Sequence, residues 1–441
     1  MLAYLLRLPG QWPHIVILVM AVGWSLLALI ASPLLTIAYQ SSWRGGWLLI
    51  AYIGAFCLGS WMVSRMVPSA GTGRVAPQTF RAKQPNLGFA FLFAMFLSTL
   101  GIGLRLFDRV VLRNMSFDIG EISRRKIDVG LGAGDSALGL ISGPLTGFCF
   151  LPAIIVLVYP KLVDTRWKIA ALLLAAFIPF DALFFQGGTS GVAYTLLLLM
   201  SVLATRPAVP GKRRVLSLKA TIGLVAGGAA ALVLGAVNFA ARVSNFADSL
   251  SQYLLYASAS TTNVLIPSSL TLKYVDSPVF GQFIFMAYWV SSYFVQGVYN
   301  FLFVVDYSGV YQTWGATQGQ LFLRAFDMLT GNATRVPASD ANPLVGLYQT
   351  MFGDVFIDFG IAVGLFQCVL MGAAGAWVHR ARLRGEFFGQ ILDPLLKTFL
   401  MMGIFVSSLS STGLFFLLAA LALIAVTAVV PPRRQRVSAR L

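Results

Sequence analysis

Histidine is almost missing from this chain: there are 2 in 441 residues, His14 and His379. Both sit where apolar runs meet basic segments, on the side that the charge pattern assigns to the cytoplasm, so no histidine is expected to serve chemistry on the opposite face. Cysteine is nearly as scarce, at 3, and Cys57, Cys149 and Cys368 all fall inside apolar runs. That excludes a disulfide framework and a thiolate metal cluster. Acids number 16 against 32 Lys and Arg, and charged residues make up only 11% of the chain, far below the ~25% of soluble domains. P-loop and dinucleotide glycine motifs, internal repeats, inverted halves and low-complexity tracts are absent. The net charge of +16 does not point to nucleic acid, because the cations fall mostly in short segments between apolar runs.

Long hydrophobic runs are what the chain has in plenty. Hydrophobic residues reach 58% and mean hydropathy +0.79, and the runs are long enough, at ~20 residues, to cross a ~30 Å hydrocarbon layer as helices. The alternation of a membrane barrel is absent. The pattern predicts an all-α, polytopic integral membrane protein, a single transmembrane domain over 1–441. Its spans lie near 14–38, 47–64, 87–104, 137–159, 168–186, 189–205, 220–240, 355–379, 394–411 and 413–430. The first run is too long for a signal peptide and reads as an anchor that stays.

With the N-terminus inside, the inner segments carry 20 Lys and Arg against 3 acids and the outer ones 11 against 12. Lys397 and Asp181, within spans, complete the totals of 32 and 16. This asymmetry orients the chain. The basic loop 206–219 lies inside, and loops of about 105–136 and 241–352 lie outside. The apolar stretch 280–305, rich in Tyr and Trp, reads as an amphipathic or re-entrant element of the large outer loop, because one extra crossing would put the C-terminal arginines on the wrong side.

Candidate chemistry rests on arginine and carboxylate. Arg105, Arg109 and Arg113 are spaced by four, one cationic stripe on a continuous helix, and Arg124 and Arg125 form a second cluster. Because this loop is outside, these cations are not explained by membrane orientation. One reading is a headgroup-bound or solvated face. The other is an anion cradle completed by Arg242 and Arg324, since guanidinium forks match phosphate oxygens. Asp354 and Asp358 lie one helical turn apart at the outer end of the eighth span, either as helix N-terminal charges or as a general base, with Glu121 a further candidate. Behind them Gly360, Gly364, Cys368, Gly372 and Ala376 recur every fourth residue, a small-residue line that invites close helix approach. Asp181, beside Pro179 in an apolar run, is expected to face protein or water.

The element Asp358-Phe359-Gly360, with the glycines that follow it and the aromatic run Tyr288 to Phe301 before it, resembles the Wzy-type O-antigen polymerases, the oligosaccharide repeat-unit polymerase family. One departure is the turn from Gln186 to Gly191, which has no arginine where family members often carry one. The resemblance implies a glycosyltransferase of the bacterial inner membrane, active on its periplasmic side, that polymerises undecaprenyl-diphosphate-linked oligosaccharide repeats into O-antigen or a related surface polysaccharide. It implies membrane lipid and a chain-length regulator protein as partners and no cofactor. The residues above are those such a reaction would use, without metal: the arginines hold the diphosphate and a carboxylate takes the acceptor's proton. An O-antigen ligase is the nearest alternative, and a lipid-linked oligosaccharide flippase or other transporter is one of a different class.

Overall fold

The computed structural model describes residues 12–39, 42–66, 86–115, 137–185, 190–205, 248–260, 264–307, 312–319, 349–407 and 413–430, with residues 223, 227, 322, 323, 326 and 330. These residues are overwhelmingly helical, as lipid requires of a chain whose backbone groups must find partners within each span. In order they form α1 (Pro13–Ala31), β1 (Leu35–Ile37), α2 (Trp43–Met66), α3 (Leu87–Leu106), α4 (Ala137–Thr146), α5 (Phe150–Val158), α6 (Thr165–Phe184) and α7 (Ser190–Thr205). Then come α8 (Leu250–Ser260), β2 (Leu265–Pro267), α9 (Ser269–Tyr274), α10 (Gly281–Tyr307), α11 (Met351–Leu383), α12 (Phe387–Gly403) and α13 (Gly413–Val429). Among the described residues, six helices are long and apolar enough to cross a membrane: α1, α2, α3 with its extension to Leu112, the α4–α5 pair, α6 and α11.

Local sequence sets where these elements begin and stop. Pro13 opens α1, where a missing N–H costs nothing, and the Ser32-Pro33 pair ends it seven residues before the expected boundary at 38. The chain continues into β1, which pairs antiparallel with β2, Leu35 opposite Pro267. This two-stranded ribbon was not anticipated by an all-helical reading. Asn86 and Thr350 cap α3 and α11 by accepting hydrogen bonds from Phe89 N and Gly353 N. The expected span 137–159 is broken into α4 and α5 by a tight turn at Gly147–Cys149, where a Cβ on Gly147 would stand 2.5 Å from the Phe415 carbonyl oxygen. Of the expected span 220–240, only 223 and 227 are described, and the basic loop 206–219 lies outside the described residues.

The two largest apolar clusters among the described residues form most of the interior. One gathers α1, α2, the second half of α10 and α11 around Tyr52, Phe56, Phe301 and Phe352; the other gathers α3 to α7, α12 and α13 around Phe91, Phe150, Ile155 and Tyr194. α12 belongs to both.

The α2–α11 contact is the closest. The expected small-residue line is its seam: Gly372 approaches the Phe56 carbonyl so closely that a Cβ would lie 2.0 Å from it, and Gly59 of α2 faces the Val369 carbonyl at 1.9 Å in the same sense. Such contact lets backbone dispersion substitute for the hydrophobic drive that lipid cannot supply. The two helices run in the same direction, Tyr52 reaching Gly360 O at 2.7 Å near one end and Ser64 O accepting from Arg380 Nη2 at 2.7 Å near the other. Their C-terminal ends therefore share one end of the bundle, the basic end. The opposite, ribbon end carries β1 and β2.

The stretch expected as interfacial or re-entrant forms α10, one continuous helix of 27 residues that is not among the six candidate spans. Its contacts gather at the ribbon end. Tyr39 Oη donates to Tyr299 O at 2.9 Å, Ser42 N donates to Asp306 Oδ2 at 2.7 Å, and a Cβ on Gly297 would meet Phe405 O at 2.2 Å. Burial, with Asp306 nearby, holds the Tyr39 phenol well above its ordinary range, so it stays a donor.

Candidate functional site

The arginine stripe exists, and its register is altered. α3 passes at Phe107 into a π turn, Phe107–Leu112, in which Arg113 N donates to Asp108 O at 3.1 Å. The wider turn buries Asp108 completely between two arginines, with Arg109 Nε at 3.8 Å and Arg113 Nε at 3.3 Å from its carboxylate. One turn earlier Arg105 meets Asp181 of α6 as a fork on a fork, Nε to Oδ1 at 3.0 Å and Nη2 to Oδ2 at 3.2 Å. The expectation that Asp181 faces protein is met, and its partner is now known.

These five groups carry three positive charges and two negative ones. Arg109 has the weakest pairing, since its partners are Asp108 at 3.8 Å and the Met115 sulfur at 3.8 Å, and its Nε is buried with no hydrogen-bond partner among the described residues. A guanidinium so placed keeps its hydrogen-bonding fork for an added anion. Burial sharpens the attraction, because the local dielectric is low.

A second, separate group of expected site residues lies at the head of α11. Asp354 is 3% exposed and Asp358 fully buried, and their side chains go to different partners. Asp354 Oδ2 accepts from the hydroxyl of Ser407, just past α12. Asp358 Oδ1 accepts from the Thr313 hydroxyl and from Thr317 N at 2.8 Å, while its Oδ2 accepts from Gln318 N at 3.0 Å. Its backbone carbonyl also accepts from Trp314 N at 2.9 Å. A buried carboxylate holding three donors fixes the turn 312–319 against α11. Gly360 makes room for it: its φ of +63° breaks the helix, and a Cβ there would lie 2.2 Å from Gln312 Nε2.

A third ionic cluster, which sequence reasoning missed, lies at the basic end. Asp393 of α12, 2% exposed, accepts from His379 Nδ1 at 2.9 Å and pairs with Arg382 Nε at 2.8 Å and Lys397 Nζ at 2.8 Å. His379 is completely buried, with the Trp12 ring 4.8 Å away, so it is a core residue. The i, i+4 spacing of Asp393 and Lys397 was the available signal. His14 is half-buried beside Ser60 at 2.9 Å. Glu121, Arg124, Arg125, Arg242 and Arg324 lie outside the described residues.

Comparison with protein-family models, with curated proteins and with solved structures finds no match for this chain.

Proposed function

We propose that this multi-pass membrane protein is a glycosyltransferase that polymerises undecaprenyl-diphosphate-linked oligosaccharide repeats on the periplasmic side of the bacterial inner membrane. The observation that carries the reading is the arginine group at the end of α3, where Arg109 is a nearly buried guanidinium without a close carboxylate of its own. In the reaction a hydroxyl of one lipid-linked repeat attacks the anomeric carbon of the growing chain. The anomeric C–O bond breaks, and the electron pair leaves with the lipid diphosphate. Arg109, flanked by Arg105 and Arg113, stabilises that leaving charge without needing a metal. The hydroxyl proton passes to a carboxylate, Asp354 first and Glu121 in reserve, while Asp358, with both oxygens engaged, acts as a positioning residue for the turn 312–319.

Deleting the gene and analysing the surface glycan tests this. Cores capped with a single repeat are the expected result. Uncapped cores would replace the polymerase with a ligase or a flippase. The buried network of Asp393, His379, Arg382 and Lys397 is what favours a transporter as the second reading, since ionisable groups inside a bundle often mark ion pathways.

A further inference from the structure

The turn 312–319 has features that the reaction above does not use. Trp314 adopts a left-handed backbone, φ +49°, which a bulky residue rarely accepts, and its side chain is 70% exposed. The strain is held in place by Asp358, which accepts from Trp314 N at its carbonyl and from Thr317 N and Gln318 N at its carboxylate. Backbone strain of this kind concentrates at ligand clamps. In the same turn Gln318 Oε1 accepts from Gln367 Nε2 of α11 at 3.1 Å. That bond leaves Gln318 Nε2 and Gln367 Oε1 buried and without hydrogen-bond partners among the described residues, one a donor and the other an acceptor.

We propose that this turn is a saccharide subsite: the Trp314 indole is the platform for the apolar C–H face of a pyranose, and the amide pair of Gln318 and Gln367 bonds one of its hydroxyls. A hydroxyl is both donor and acceptor, so one group satisfies both orphaned amide atoms, each of which otherwise carries a desolvation penalty. The indole presents a negative face to the polarised C–H groups, and it loses little entropy on binding because it has two side-chain torsions. The subsite deepens the polymerase reading and rests on it for its substrate, the lipid-linked repeat whose sugar would be steered toward α11.

The test needs no turnover, so it fails or succeeds separately from that reading. The full chain, labelled with 5-fluorotryptophan, is placed in nanodiscs of neutral lipid, and the Trp314 fluorine resonance is assigned through Trp314→Phe among the 9 tryptophans. Glucose, galactose, mannose, rhamnose and N-acetylglucosamine are titrated singly. At least one sugar is expected to shift the Trp314 resonance. Gln318→Leu and Gln367→Leu are each expected to weaken that response roughly tenfold, the size of one lost hydrogen bond. The other tryptophan resonances report folding in each variant, and Trp314→Tyr, which keeps a ring, should retain sugar binding measured by saturation transfer. A Trp314 signal that no sugar moves overturns the subsite. So does a response that both leucine variants leave intact, and so does broadening by spin-labelled lipid without any sugar response, which would make Trp314 a membrane anchor.

Discussion

Arg105 of α3 and Asp181 of α6 meet fork to fork, with both guanidinium-to-carboxylate distances near hydrogen-bond length, 3.0 and 3.2 Å, and side chains only 12% and 10% exposed. The pair stitches two parallel helices where Arg109 must be aimed. Removing one partner strands the other in a poorly hydrated site, a loss of about 3 to 5 kcal/mol for a buried pair. Arg105→Gln and Asp181→Asn should each lower the thermal unfolding midpoint in detergent, and the double variant should lose much less than the sum. Additive losses would show that the two residues act separately.

The α2–α11 seam predicts which glycines are irreplaceable. A Cβ on Gly59 or Gly372 would run into backbone oxygens at 1.9 and 2.0 Å, whereas one on Gly54, also in α2, meets nothing within 4 Å. Gly59→Ala and Gly372→Ala should therefore cost about 1 to 3 kcal/mol or prevent assembly, while Gly54→Ala stays within about 0.5 kcal/mol of the parent. Thermal melting of the three purified variants reads the difference.

Helix existence was legible in the sequence because it depends on local composition and length, and the line from Gly360 to Ala376 was legible because its period is that of one helix face. What the line packs against was not legible, since Tyr52 lies 308 residues from the carbonyl of Gly360 that it bonds. The same holds for the site. Asp181 was recognisable as a costly carboxylate, yet its partner is 76 residues away. Asp358 was recognisable as a carboxylate at a helix head, but its role depends on a turn some 40 residues upstream, and no local pattern announces that. The π turn that buries Asp108 was hidden for another reason: apolar periodicity reads the same through one wider turn.

Orientation rests on the asymmetry of Lys and Arg among the loops and is open to direct labelling. With a membrane-impermeant thiol reagent on intact cells and a background lacking the 3 native cysteines, Ser116→Cys and Ser339→Cys should react, and Ser217→Cys and Ser438→Cys should be protected. Reaction of Ser217→Cys from outside would reverse the orientation and remove the periplasmic reading.

The two carboxylates of α11 should separate by kind of effect. Asp358→Asn turns an NH2 toward the donors of Thr317 or Gln318, so hydrogen exchange at those amides should rise at least tenfold, by roughly 1.4 kcal/mol of lost protection. Turnover should fall without a change in the shape of its pH profile. Asp354→Asn should instead cost about 10² to 10⁴ in rate and remove the acid limb of the profile, as loss of a general base does. Near-normal polymer from Asp354→Asn would transfer that role to Glu121.

The arginine group separates a diphosphate cradle from a surface that merely attracts anionic headgroups. If Arg109 holds the leaving diphosphate through paired N–H bonds, a lysine keeps the charge but loses the fork, so Arg109→Lys should shorten the polymer nearly as much as Arg109→Ala. If only charge matters, the lysine variant should make wild-type chains. Arg113, held 3.3 Å from the Asp108 carboxylate, should tolerate lysine better than Arg109, whose Nε has no hydrogen-bond partner among the described residues. Arg105→Lys should fail differently: it breaks the bidentate contact with Asp181 and so lowers the melting temperature along with the yield of polymer. Chain-length profiles at matched expression, repeated with EDTA, decide the matter. Activity lost to EDTA and restored by Mg²⁺ would mean that the guanidinium groups do not carry the diphosphate alone, and wild-type polymer from Arg109→Lys would take Arg109 out of the active site.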